Sequence, residues 1–290
     1  MSQVLSSPRK STNVRSLQAV ALPLLRSGLG VLSHASPGHA GRLAAHLFTT
    51  PRRFQRHPKE AAILEGACRI RIPMGSGALS AWRWGRGPTV LLVHGWEGRG
   101  SQLAAMVDPL VKQGHTVVTF DAPAHGDSQG RATNLLAFAD AISAAERELG
   151  PLHGIVAHSM GAAAALFAVR SAPHPPRLAL ISPANASQAV GRFVRFMGFD
   201  EAVGPCLHRT LDRTLGVSID RLDGPRLAQR FQAPLLVVHD VDDPIAPYDD
   251  GAGIAALAPR SELMATEGMG HHKILRDPEV VRRITAFMGE

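Results

Sequence analysis

Residues 154–163 read GIVAHSMGAA. An apolar run of strand type stops at Ser159, and an alanine-rich run of helical type follows. A sharp turn between them lifts the serine hydroxyl out of the fold at the carboxyl edge of a sheet, and Gly161 leaves room for a neighbouring segment. The helix that follows aims backbone N–H groups, Met160 first, at the same space, where they stabilise a developing oxyanion. A serine hydroxyl is a poor nucleophile until a base takes its proton, so the chemistry also needs an imidazole and an acid. The plain alternative is a serine that only caps a helix.

The partners follow in order along the chain. After the apolar run LLVVHD comes DDPIAP (242–247), which places carboxylates in a loop beyond a strand end, where one near 243 can orient an imidazole and stabilise its cation. EGMGHHKILRDP (267–278) then places His271 after a glycine-containing loop. A metal pair or two ordinary loop histidines is the alternative for His271 and His272, and no HExxH pattern is present. Upstream, HGWEGRGSQL (94–103) follows a strand, so that its His-Gly turn can offer the Trp96 N–H as an oxyanion donor beside that of Met160. His94 reads as a structural residue that holds this loop.

These residues need a scaffold, and the periodicity supplies one. CRIRIP (68–73) and LSAWRW (79–84) form an antiparallel pair around MGSG. Strands at TVLLVH (89–94), TVVTFD (116–121), GIVAH and RLALISP (177–183) then alternate with helices over 101–114, 135–150 and 159–171. This rhythm predicts an α/β fold with a mostly parallel twisted sheet and helices on both faces. It pauses over 184–232, a segment expected to be helical and outside the sheet, and resumes with LLVVHD (235–240), a helix near 250–258, ELMAT (262–266) and VVRRITAFM (280–288).

With those elements in place, the chain resembles the α/β-hydrolase superfamily over about residues 68–290. LLVHGWEG looks like that family's oxyanion loop and AHSMG like its nucleophile elbow, with Ala157 in a glycine position. FDAPAHGDSQG (120–130) is similar to its D-x-x-G-H-G-x-S loop, with Ala124 replacing a glycine. The order Ser, Asp, His is also the one that fold uses. The resemblance selects Asp243 as the acid, because Pro247 falls four residues later; Asp240 takes a usual glycine position, and Asp242 is a minor competitor. It selects His271 as the base, and it implies a cap over 184–232. Phe193, Phe196, Met197 and Phe199 of that cap are candidates for an acyl pocket, although their helical spacing suits packing equally.

The implied chemistry is acyl transfer to water through Ser159, His271 and Asp243, with carboxylic esters of small to medium acyl groups as substrates. Thioesters and amides stay open, and no metal or organic cofactor is expected. An acyltransferase or a cofactor-free peroxidase-like enzyme would use the same triad, and a noncatalytic ligand-binding scaffold is the third reading.

Composition excludes other classes. At 290 residues and 45% hydrophobic content the chain can bury a substantial core. Of its 31 Lys and Arg, nine fall in residues 1–59, which hold no Asp or Glu, so the other 22 face all 24 acidic residues. The net charge of +7 therefore belongs to a basic, helical N-terminal extension (1–66) ahead of the hydrolase domain (67–290). No nucleic-acid motif accompanies it, and a solvated surface is expected. The stretch LQAVALPLL (17–25) partly resembles a secretory or transit signal, but Pro23 and Arg26 interrupt it; a cytoplasmic protein without an integral membrane segment is expected. Cys68 and Cys206 form no CxxC pair and read as buried thiols. Oligomeric state is not legible.

Overall fold

The computed structural model describes residues 13–56 and 58–290, and side chains from residue 23 onward. Arg9 and Lys10 of the expected extension lie outside the described residues. The chain divides into two compact units, one joining the chain up to Ala45 with Val190–Thr210, the other joining His46–Ala189 with Leu211–Glu290.

The second unit is built on one eight-stranded sheet, with strands β1 (Cys68–Met74), β2 (Gly77–Trp84), β3 (Thr89–Val93), β4 (Thr116–Phe120), β5 (Leu152–His158), β6 (Arg177–Ile181), β7 (Leu235–Asp240) and β8 (Ser261–Thr266). Their spatial order is β1-β2-β4-β3-β5-β6-β7-β8. The first two pairings are antiparallel and the remaining five parallel. Strand alternation builds the core. Val90, Leu92, Val156, Ala179, Ile181, Leu236 and Val238 project to one face, where they pack with Leu103, Met106 and Leu110 and with Ile284 and Phe287 of the last helix. The central strands are buried on both faces, which is why β5 and β7 carry the apolar runs Ile155–Ala157 and Leu235–Val238.

The expected helix over 101–114 is divided. A 3₁₀ stretch covers Gly100–Met106, and an α-helix begins only at Val107. Pro109 explains this: it has no N–H and would clash inside a helix running from 101, but it is tolerated in a first turn. The segment 184–232 contributes no strand; it forms helices Ala186–Met197, Val203–Leu215 and Gly224–Ala228 with a 3₁₀ turn between the last two. Cys68 is exposed and Cys206 half-buried, contrary to expectation. Cys68 opens the edge strand β1, where most side chains face solvent.

The other unit is helical. Asn13–Ala35 and Pro37–Thr49 form the first two helices of the basic extension, the latter running past the unit's boundary, and a third, Pro58–Glu65, belongs to the sheet unit. Ser33 Oγ accepts from the Asp200 N–H at 3.2 Å, Arg26 donates to the Arg195 carbonyl, and Gly41 lies so close to Cys206 that a Cβ there would sit 2.8 Å from the cysteine Cβ. Among the described residues no helix is long and apolar enough to cross a membrane.

Three arginines of the expected extension, Arg52 and Arg53 exposed and Arg56 half-buried, bind groups of the sheet unit's loops. Arg53 donates to the carbonyls of Gly126, Ser128 and Gly130. Arg56 bridges Asp121 and Asp127, and Arg52 binds Glu97. These contacts span 45 to 77 residues of sequence, a separation at which local patterning carries no signal.

Candidate active site

Ser159 stands between β5 and the helix Met160–Val169 with φ 55° and ψ −122°. A non-glycine residue in this region costs about 1–3 kcal/mol, so the surrounding structure must hold it. It does so through the Ser159 N–H, which donates to the Ile181 carbonyl on β6 at 2.9 Å, and through close packing at two glycines. A Cβ on Gly161 would lie 2.2 Å from the His94 carbonyl oxygen, and one on Gly95 would lie 2.8 Å from the Ser159 Cβ. The serine hydroxyl makes no capping bond to the helix, which removes the plain helix-cap alternative.

The hydroxyl instead meets His271. Ser159 Oγ lies 3.0 Å from His271 Nε2, and His271 Nδ1 lies 2.7 Å from Asp243 Oδ2. A carboxylate only accepts, so Nδ1 carries the proton and Nε2 offers its lone pair to the serine. All three residues are buried. Asp243 Oδ1 accepts from the N–H groups of Ile245 and Ala246 at 2.8 and 3.0 Å. Burial opposes its ionisation. The His239 ring nitrogen at 3.6 Å, the His271 N–H and the Ile245 amide outweigh that effect and hold the carboxyl well below its ordinary range. Asp242 does not compete: its carboxylate accepts from the Gly268 N–H at 3.3 Å.

Asp240 has a structural task. Its Oδ2 accepts from Thr266 Oγ1 at 2.8 Å and from the Met269 N–H at 3.0 Å, which ties the end of β7 to the loop carrying His271. His158 reaches the same loop, because its Nε2 lies 3.0 Å from the His271 carbonyl oxygen and must therefore be the protonated nitrogen. Burial, then the neighbouring His271, lowers the His158 pKa well below the usual histidine value, so the ring is neutral. His272 is exposed, its ring centroid 5.1 Å from that of His271.

The loop after β3 is laced to the loop after β4 by two histidines. His94 Nδ1 donates to the Gly95 carbonyl at 2.7 Å, and its Nε2 accepts from the Ala122 N–H at 2.9 Å. His125 Nδ1 donates to the Pro123 carbonyl, and its Nε2 accepts from the Glu97 N–H at 2.9 Å. Burial is the main cause of a lowered pKa in both, to about 3 for His94. Neutral rings are what these bonds require, since each accepts at Nε2. Ala124, in a glycine position of the second loop, takes φ 65°, the left-handed conformation that explains the glycine preference. Among the described residues, neither the Trp96 N–H nor the Met160 N–H meets an acceptor.

Phe193, Phe196 and Met197 all lie on the helix Ala186–Met197, within the unit that holds the chain up to Ala45. Phe193 packs against Phe199 with ring centroids 6.4 Å apart, and Phe196 is exposed.

A family model described as the alpha/beta hydrolase fold matches residues 88–225, the stretch that carries both laced loops and the Ser159 turn. The match covers just under half of the chain, and the eight-stranded, mostly parallel sheet has the α/β-hydrolase fold. Two proteins similar to this chain bear one description, pimeloyl-[acyl-carrier protein] methyl ester esterase. That of Aromatoleum aromaticum is 25% identical over 239 residues, covering 66% of this chain and 94% of the relative. That of Stenotrophomonas maltophilia is 35% identical over 133 residues, covering 45% of this chain and 47% of the relative. Among solved structures, an esterase of Pyrococcus furiosus superposes with a TM-score of 0.62 at 19% identity, covering 82% of this chain and 98% of that one. At that identity the likeness speaks to fold alone.

Proposed function

We propose that this α/β-hydrolase cleaves carboxylic esters through an acyl-enzyme on Ser159. The observation that carries the reading is the continuous chain Ser159 Oγ, His271 Nε2, His271 Nδ1, Asp243 Oδ2, with links of 3.0 and 2.7 Å.

The arrangement supports a two-step reaction. His271 Nε2 takes the Ser159 proton as Oγ attacks the ester carbonyl, and Asp243 stabilises the imidazolium that forms. The N–H groups of Trp96 and Met160 act as donors to the tetrahedral oxyanion. Collapse of that intermediate expels the alcohol, which receives its proton from His271. Water, deprotonated by the same imidazole, then attacks the acyl carbonyl, and Ser159 leaves with a proton returned by His271.

The relatives described as methyl ester esterases favour an ester with a small alcohol leaving group over an amide. Thioesters belong to the same proposal, because the acyl-enzyme formed is identical. Hydrolysis of p-nitrophenyl acetate, butyrate and octanoate, followed by the methyl esters of the best acyl chain, tests the reading. Turnover that disappears in Ser159→Ala supports it; turnover that persists in that variant contradicts it. Replacing water by short alcohols in the same assay separates hydrolysis from acyl transfer to an acceptor.

A further inference from the structure

The turn that carries the Trp96 N–H is held from outside the hydrolase motifs. Gly95, Trp96, Glu97 and Gly98 make a tight turn closed by the Gly98 N–H donating to the Gly95 carbonyl at 3.1 Å. Within it Glu97 takes φ 54°, a left-handed conformation that a residue with a side chain does not adopt without support. Two contacts give that support. The Glu97 N–H donates to His125 Nε2 at 2.9 Å, and the Glu97 carboxylate receives three hydrogen bonds from Arg52. The Arg52 backbone N–H and Nε reach Oε1 at 3.1 and 2.9 Å, and its terminal nitrogen reaches Oε2 at 2.8 Å.

This is a forked, charge-assisted contact that fixes the direction of the carboxylate as well as its distance. Glu97 is shielded, at 21% side-chain exposure, while the Arg52 side chain is 77% exposed. Burial raises the Glu97 pKa, and the Arg52 hydrogen bonds and charge overcome this and lower it, so the carboxylate is ionised across the working range of a histidine base. The peptide between Trp96 and Glu97 is thus pinned on its glutamate side by both a backbone and a side-chain contact. On its other side, Gly95 lies against Ser159. A rotation of that peptide would redirect the Trp96 N–H.

We propose that Arg52, from the basic segment ahead of the sheet, is a positioning residue: through Glu97 it sets the turn that presents the Trp96 N–H to the oxyanion. The assignment rests on the proposed Ser159 chemistry, and it gives one charge of the N-terminal segment a task in catalysis.

The test compares the full-length protein with Arg52→Gln, Arg52→Lys, Glu97→Gln and the double Gln variant. Each is measured for kcat and KM on a p-nitrophenyl ester and for the rate of Ser159 labelling by a fluorophosphonate, which mimics the tetrahedral intermediate. Either single Gln variant should lose about three- to tenfold in kcat and in labelling rate with KM unchanged, and the double variant should be no slower than the singles. Arg52→Lys keeps the charge without the fork and should recover only part. Because the pair is partly exposed, wild-type activity should fall toward that of Arg52→Gln as salt is raised, while Arg52→Gln stays flat. Unchanged labelling in the singles, or losses that multiply in the double variant, would overturn the proposal. Hydrogen exchange of the segment 94–98 is a second arm that needs no catalysis: it should quicken in Arg52→Gln, and unaltered exchange there also overturns the pinning. Wild-type protein that is not labelled at Ser159 would instead count against the nucleophile, with the exchange arm still deciding the role of Arg52.

Discussion

His158 Nε2 donates to the His271 carbonyl oxygen at 3.0 Å, so the residue immediately before the serine holds the backbone of the histidine that faces it. The two rings lie 4.6 Å apart, and among the described residues His158 Nδ1 has no hydrogen-bond partner. A buried histidine with one bond made and one nitrogen bare is positioned for that single bond. Ser159 and His271 are thereby tied through the backbone as well as through the 3.0 Å contact of their side chains.

This relationship predicts how His158 variants behave. His158→Phe keeps the ring volume and loses the donor; it should lower kcat by about 10- to 100-fold through displacement of His271. His158→Gln places an amide N–H near the same point and should recover most of the activity. Equal losses in both variants would mean that the ring matters only as packing. Imidazole ¹⁵N shifts should show His158 protonated at Nε2 alone.

The triad variants should separate by role. Ser159→Ala and His271→Ala each remove turnover on the order of 10⁶-fold, and Asp243→Asn lowers it by about 10⁴-fold. His272→Ala, at an exposed position, should stay within a few-fold of wild type. Initial rates on one activated ester, with melting temperatures alongside, check this series.

Gly161 is required by space. Its missing Cβ would meet the His94 carbonyl at 2.2 Å and Val93 Cγ1 at 3.1 Å, both in a strand-end region with no slack. Gly161→Ala should destabilise the fold by more than about 2 kcal/mol, read as a lower midpoint in urea. Gly150→Ala has open space at its Cβ but φ 82° and ψ −173°, a region nearly confined to glycine, so its cost should be backbone strain alone, about 1–3 kcal/mol.

Stability should depend on pH through the buried histidines. His94, His125 and His158 have folded-state pKa values lowered by burial, so below the ordinary value of 6.5 the unfolded chain binds protons that the folded chain refuses. Their contribution is fully present above pH 6.5 and is lost as pH falls toward about 3, the His94 value, at up to about 1.4 kcal/mol per pH unit for each ring. The depressed Asp243 carboxyl adds to the loss only below its ordinary value of 3.8. Urea midpoints at pH 7.5, 6.5, 5.5 and 4.5 should fall steeply below 6.5. A flat series would contradict the burial of neutral imidazoles.

Much of the site was legible because each of its parts sits where a strand ends. Ser159, Asp243 and His271 are each marked by a short apolar run followed by glycine, proline or polar residues, and the structure joins the three. The spacing to Pro247 points to Asp243 rather than Asp242, and it is Asp243 that lies 2.7 Å from His271 Nδ1. The supporting residues left no such mark. Arg52 and Glu97 are 45 residues apart and His158 and His271 are 113 apart, so their pairing depends on tertiary folding alone. Asp240 stood out only as a departure from a glycine position, and its bonds to Thr266 and Met269 show what the carboxylate does there. The break before Val107 was available in the sequence as Pro109 and was overridden by the apolar periodicity around it.

The most direct test of the account is labelling of the purified protein with a fluorophosphonate, followed by peptide mapping, beside Ser159→Ala and His271→Ala. The account predicts one modified residue, Ser159, with labelling absent in the first variant and slowed by orders of magnitude in the second. Folded protein that stays unlabelled, or that is labelled at another residue, would contradict an activated serine at this turn.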